Sequence, residues 1–328
     1  MRRRDFLGVL AGAAAAWPRA AQAQQAALPA IGIVDLRSPE GMDTRLRAFR
    51  QGLAETGYVE GENVTIVYRY AENKLDRVPE LLADLVRRQV AVLFPGGSVS
   101  VVLAAKAATT TIPIVFNIPD DPVRLGLVTS LARPGGNLTS VNFLSRELTA
   151  KQLAFLHEMV PKAARVAVIV NPLNTGNLEA VERDAPPAAR ALGLELQMLR
   201  ASTSREIDAA FAALARAPPD ALFVTTDGFF NIRRVQFVQQ STHHRLPTIY
   251  SAREYPEIGG LMSYGSDIAD AWRQSGSYAG RILKGTKPAD MPVVQSSKIE
   301  LIINHQTARM LGLTVPQTLL VAADEVIE

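Results

Sequence analysis

The chain has 328 residues, 48% of them hydrophobic, with 35 Lys and Arg against 32 Asp and Glu and no cysteine. Such a length exceeds what one hydrophobic core usually organises, so two domains of roughly 150 residues are expected. The lack of cysteine excludes disulfides, a thiol nucleophile, a cysteine zinc site and a lipid-modified cysteine anchor.

The first 23 residues read as an export leader. Arg2, Arg3 and Arg4 form a basic start, Phe6 to Trp17 a mildly apolar run, and Ala21 and Ala23 a small-residue site for cleavage before Gln24. Arg3-Arg4-Asp5-Phe6-Leu7 resembles the twin-arginine pattern, and an ordinary general-secretion leader would share the same cleavage site. The apolar run is about half the ~20 residues a membrane-spanning helix needs, so cleavage and release into a periplasm are expected. This segment holds four arginines and one aspartate, which leaves 31 basic and 31 acidic residues in the remainder. The basic excess thus belongs to the leader, and no nucleic-acid partner is expected.

From Ile31 onward, short β-rich runs alternate with helical periodicity, the pattern of an α/β fold with parallel sheets covered on both faces. In the first half the strands are Ile31–Leu36, Val64–Tyr68, Val90–Phe94, Ile112–Phe116 and Leu138–Phe143. Between them, Leu46, Phe49 and Leu53 fall on one helix face, and Val78, Leu81, Leu82 and Leu85 on another. The second half repeats the scheme with strands Val166–Val170, Leu194–Met198, Ala221–Val224 and Thr248–Tyr250. Its helices begin near Thr149, Asn177, Thr203 and Phe230. Thr149 with Gln152, and Thr203 with Glu206, have capping-box spacing. Pro186-Pro187 predicts a break or kink in the helical stretch that contains it. The last seventy or so residues give a Gly-rich strand Gly259–Tyr264, a helix from about Ile268 to Lys284, a Pro-containing segment Lys287–Pro292, a strand Lys298–Ile303 and a short helix ending near Leu311. This alternation is what a chain crossing repeatedly between two domains would show.

In doubly wound sheets, ligands sit beyond the carboxyl ends of the strands, so the loops there are the candidate site. Ser38 follows the first strand. Pro95-Gly96-Gly97-Ser98 opens a helix whose amides, with Gly97 and Ser98, can hold a carboxylate; a turn with a serine cap fits the same residues. Asp121, between Asp120 and Pro122, can accept from a ligand amine or hydroxyl or simply cap the following turn. In the second half, Asn171, Asn174, Thr226 and Asp227 occupy corresponding loops, with side chains suited to polar ligands and equally to turns. Tyr264 is an aromatic candidate for covering a ring, whereas Tyr250, inside an apolar strand, is expected to face packing. His157, His243, His244 and His305 form no chelating pattern; adjacent His243 and His244 would diverge by about 100° on a helix. No nucleophile elbow or HExxH pattern appears. This lowers the enzyme reading, and no metal and no cofactor is expected.

Collinear segments then add a resemblance. Gly57-Tyr58-Val59-Glu60-Gly61-Glu62-Asn63-Val64 with Tyr68-Arg69, Thr111–Phe116, Asp121-Pro122-Val123, Gly126-Leu127-Val128, Arg133–Asn137 and Asn171-Pro172 resemble the substrate-binding proteins of ABC importers. So do Tyr264-Gly265, Ile282–Gly285 and the stretch from Asn304 through Gly312 to Pro316. The resemblance implies a type I periplasmic binding protein, with two Rossmann-like lobes on a multi-strand hinge and a small molecule between them. Residues 29–144 with about 260–287 would form one lobe, and 145–259 with about 288–328 the other. It further implies a monomer that takes an amino acid or similar small polar ligand, or a sugar, to ABC permease and ATPase subunits. A periplasmic ligand sensor or an exported α/β enzyme would present a similar chain.

Overall fold

The computed structural model describes residues 28–40, 42–72, 74–143 and 148–328; the leader expected over residues 1–23 lies outside the described residues. The first half consists of β1 (Ala30–Asp35), α1 (Asp43–Ala54), β2 (Thr65–Tyr70), α2 (Val78–Arg87), β3 (Val92–Gly96), α3 (Val99–Ala108), β4 (Ile114–Phe116) and β5 (Leu138–Phe143). The second consists of α4 (Thr149–Met159), β6 (Arg165–Val170), α5 (Thr175–Ala191), β7 (Glu195–Arg200), α6 (Ser204–Arg216), β8 (Ala221–Val224), α7 (Gly228–Ile232), α8 (Arg234–His243), β9 (Thr248–Tyr250) and β10 (Met262–Ser266). Then follow α9 (Ile268–Leu283), β11 (Val294–Ser296), β12 (Ile299–Asn304), α10 (His305–Met310), α11 (Gln317–Ala322) and β13 (Glu325–Ile327).

Two sheets result, in the orders β11-β5-β4-β3-β1-β2 and β13-β12-β10-β9-β8-β6-β7. All pairings are parallel except β10 with β12, where Gly265 lies opposite Glu300. Side chains alternate between faces, and both faces are covered, which is why the strands read as continuous apolar runs. In β1, Ile31 and Ile33 pack with Phe49, Phe94 and Trp272, while Val34 joins Leu82, Leu85 and Val101 on the other face. In β6, Val166, Val168 and Val170 pack with Leu153 and Leu156, and Ala167 and Ile169 with Phe211 and Phe237.

The chain passes between the sheets after β5, after β10 and before β12, and the last two of these points lie later in the chain than the expected boundaries. Met262–Ser266 belongs to the second sheet rather than to the first lobe, because Met262 pairs with Ile249 and Ile303 and is buried in the second core. Val294–Ser296 belongs to the first sheet, paired in parallel with Val141–Phe143. The intervening α9 packs backbone to backbone on α1. A Cβ at Gly276 would stand 2.0 Å from the Phe49 carbonyl oxygen, and one at Gly52 only 1.7 Å from that of Arg273.

Two local expectations change. Thr203 caps α6 with the full reciprocal box, but Thr149 is the first residue inside α4, and its N-cap is Leu148 with no side-chain bond. The Gln152 amide donates instead to the Tyr264 carbonyl at 2.8 Å, tying α4 to β10. Pro186 and Pro187 do not break α5, which runs on to Ala191. They cost the helix two N–H donors, while Ala180, Val181, Ala185 and Ala189 hold its inner face in the core.

Candidate functional site

The loops beyond the carboxyl ends of the parallel strands carry the polar groups of interest. At the end of β1, Asp35 is almost fully buried and receives a forked bond from Arg37: Nε to Oδ1 at 2.8 Å and Nη2 to Oδ2 at 2.7 Å. Burial works against the Arg37 charge, but the Asp35 carboxylate outweighs it and holds the guanidinium protonated above its ordinary range. The guanidinium carbon sits 5.9 Å from the Trp272 ring centroid.

Beside this pair, Gly96 ends β3 where no side chain fits, since a Cβ would lie 2.6 Å from Asp35 Oδ2 and 3.0 Å from Trp272. Gly97 follows with φ +66°, and its N–H donates to Asn117 Oδ1 at 2.9 Å. Asn117 is fully buried, and among the described residues its Nδ2 has no partner. Ser98 is the N-cap residue of α3, yet its side chain makes no cap bond. An unpaired hydroxyl and a helix N-terminus thus lie together, an arrangement that favours an anion. Ser38 is half-buried in the loop after β1, next to Arg37. Asp121 takes the cap alternative: it is exposed, and its Oδ1 accepts from the backbone of Val123 at 2.8 Å and Arg124 at 3.2 Å.

In the second half, Asp227 is the centre. It caps α7 by accepting from Phe230 N at 3.1 Å, and it is 9% exposed. Asn171 Nδ2 donates to its Oδ1 and Asn174 Nδ2 to its Oδ2, both at 3.0 Å, while Asn174 itself caps α5. These three residues, from the loops after β6 and β8, form one cluster. Thr226 is half-buried beside it, and Thr225 is committed to the Ile169 carbonyl. Tyr264 does not join them. It points into the second core from the middle of β10, with its ring edge-on to Phe155 at 4.9 Å, so the ring-covering role expected of it has no support. Tyr250 is buried, stacked on Tyr255 at 4.3 Å and bonded to Ser241.

The two loop sets face each other. Arg45 of α1 is ion-paired with Glu254 in the loop after β9, Glu254 also acts on the Arg37 charge, and Arg124 stands 3.7 Å from Glu179 at the rim. Asp35, Arg37, Asn117, Arg45 and Glu254 are absent from the sequence-derived candidates, because Asn117, Arg45 and Glu254 take their meaning from partners far along the chain and the Asp35–Arg37 pair takes its meaning from burial. Only Asp35-Leu36-Arg37 at a strand end was open to inspection as a local pair. Among the described residues no group of three or more His, Cys, Asp or Glu can hold a metal ion, and no helix is long and apolar enough to cross a membrane.

Comparison with known proteins places this architecture. The chain is 28% identical over 284 residues to a tyrosine-binding protein of Clostridioides difficile, covering 86% of this chain and 81% of that one. Among solved structures, it superposes on a Streptococcus pneumonia ABC domain in complex with L-Trp with a TM-score of 0.80 at 25% identity, over 92% of this chain and all of the other. A ligand-free, open substrate-binding protein with adhesive properties from Clostridium difficile matches over 92% of this chain and 99% of its own at the same identity, with a TM-score of 0.67. The family model described as ABC transporter substrate binding protein matches residues 30–327, and the chain belongs to that family.

Proposed function

We propose that this protein is the extracytoplasmic receptor of an ABC importer, closing on a small zwitterionic amino acid and presenting it to the permease and ATPase subunits. What supports this reading is that loops at the carboxyl ends of the strands in both halves carry polar groups of opposite preference. On one side, the N-terminus of α3 with Gly97 and Ser98 suits a carboxylate. On the other, Asp227 is oriented by Asn171 and Asn174 and suits an ammonium group. Contacts from both lobes coexist only when the cleft is closed, so ligand binding shifts the hinge equilibrium toward closure. Two relatives support an aromatic amino acid as the first candidate: one is a tyrosine-binding protein and the other was solved with L-Trp.

A thermal-shift screen of the purified protein against amino acids, sugars and small carboxylates tests the reading. A ligand at about a hundred times its dissociation constant adds about 2.7 kcal/mol of stability. Stabilisation by aromatic amino acids, with the compound recovered chemically unchanged, is the expected result. Stabilisation by sugars alone would overturn it.

A further inference from the structure

Arg45 and Glu254 join elements 209 positions apart in the chain. Arg45 lies in the first turn of α1, and its side chain is 8% exposed; Glu254, beyond the end of β9 in the second lobe, is 21% exposed. Arg45 is rigidly mounted. Backbone contacts at Gly52 and Gly276 fix α1 against α9, the helix the chain enters directly after crossing from β10. The Glu254 charge also favours the protonated form of Arg37 in the first lobe. Around the pair lies a cavity of about 150 Å³, lined by Asp43, Thr44, Arg45, Arg234, Arg253 and Glu254 among others. Among the described residues a second ion pair, Arg124 with Glu179, also spans the lobes; it is more than half exposed on both sides and 3.7 Å long, so it adds little.

We infer that Arg45 and Glu254 form a latch that closes the two lobes on each other without needing the ligand, and so sets the fraction of protein poised to bind. This rests on the reading of the protein as a receptor that opens and closes. Both partners are protein groups, and neither belongs to the Gly97–Ser98 turn or the Asp227 cluster. The union is partial. Arg45 Nε and Glu254 Oε2 are buried and have no partner among the described residues, so one oxygen and one donor remain unmatched. A fully matched, forked pair would hold the cleft shut, whereas a single-point pair in a polar cavity balances desolvation against attraction and can reopen. Apparent affinity scales with the closed fraction, so a latch of this kind tunes binding of every ligand by the same factor.

The test is a distance measurement. The sequence has no cysteine, so spin labels on Val123→Cys and Leu173→Cys, exposed positions in the two lobes, report the interlobe distance alone. The ligand-free wild-type background should show a short-distance population, and Arg45→Met and Glu254→Gln should each deplete it about tenfold. The exchange Arg45→Glu with Glu254→Arg should recover it at least in part. Affinity for L-tryptophan and L-tyrosine, as probes, should fall about tenfold in both single variants, equivalent to about 1.4 kcal/mol. Glu254→Gln keeps the side-chain shape and serves if Arg45→Met does not fold. Lack of a short-distance population in the ligand-free protein, or the same population in the variants, would overturn the latch. Failure of both amino acids to bind with the distances behaving as described would leave the latch standing and count against the proposed ligand.

Discussion

Gly276→Ala should destabilise the first lobe, although helix propensity alone says the reverse. In an exposed helix interior this exchange stabilises by about 1 kcal/mol. Here the new Cβ would stand 2.0 Å from the Phe49 carbonyl oxygen and 2.9 Å from Leu53 N. Ordinary carbon–oxygen contact begins at about 3.3 Å, so α1 and α9 must part by roughly 1.3 Å. The far end of a flexible side chain cannot absorb this, because the obstructing atoms are backbone. Parting the helices loosens the stack in which Trp272 meets Phe94 edge-on at 4.8 Å and Phe49 at 6.5 Å. Overpacking of this kind costs about 1–3 kcal/mol, a fall in Tm of about 2–12 °C if the lobe, at roughly 150 residues, unfolds as a unit of its own. Trp272 fluorescence during thermal unfolding reads the affected core directly, since the chain's other tryptophan is Trp17. Gly228→Ala, where the added Cβ meets nothing within 4 Å, is the control and should change stability by less than about 0.5 kcal/mol. An unchanged or raised Tm for Gly276→Ala would refute the close-packing argument.

Three further outcomes follow from the structure. Asp227→Ala should abolish most ligand binding and also cost about 1–3 kcal/mol, because it orphans the Asn171 and Asn174 amides and uncaps α7; Ser98→Ala, which loses no cap bond, should weaken binding in calorimetry with little change in Tm. Thr203→Ala should cost about 1 kcal/mol in urea unfolding, since it removes one half of the α6 capping box. Burial pushes the Glu300 carboxyl up to about 7 against the pull of Arg253 2.9 Å away. Its folded pKa thus exceeds the unfolded one, so its contribution is full below about 4.5 and is lost as pH rises toward 7. Glu300→Gln should flatten that part of the stability–pH profile; an unaltered slope would count against it.

The architecture was legible because its signals are local. Continuous apolar strand runs and helical spacing lie within single elements, and Leu138–Phe143, Ala221–Val224 and Thr248–Tyr250 fall where the sequence places them. The crossings were less legible: Met262–Ser266 and Val294–Ser296 join sheets on the strength of partners such as Ile303 and Val141, far away along the chain. At the site, Asn171, Asn174 and Asp227 were visible as loop residues, but their common cluster depends on two strand ends lying side by side. Tyr264 lies apart from that cluster, and an aromatic at a strand end and one in mid-strand look alike until register fixes the length of β10. The roles of Arg45 and Glu254 depend on the approach of two lobes, which no spacing encodes.

Capture of an amino acid between the polarities of Ser98 and Asp227 is tested by calorimetric titration of L-tryptophan and L-tyrosine into the purified protein. Saturable one-to-one binding of at least one of them, weakened at least tenfold by Asp227→Ala and measurably by Ser98→Ala, is the predicted result. Binding that is indifferent to both substitutions, or heat from sugars and none from any amino acid, would contradict it.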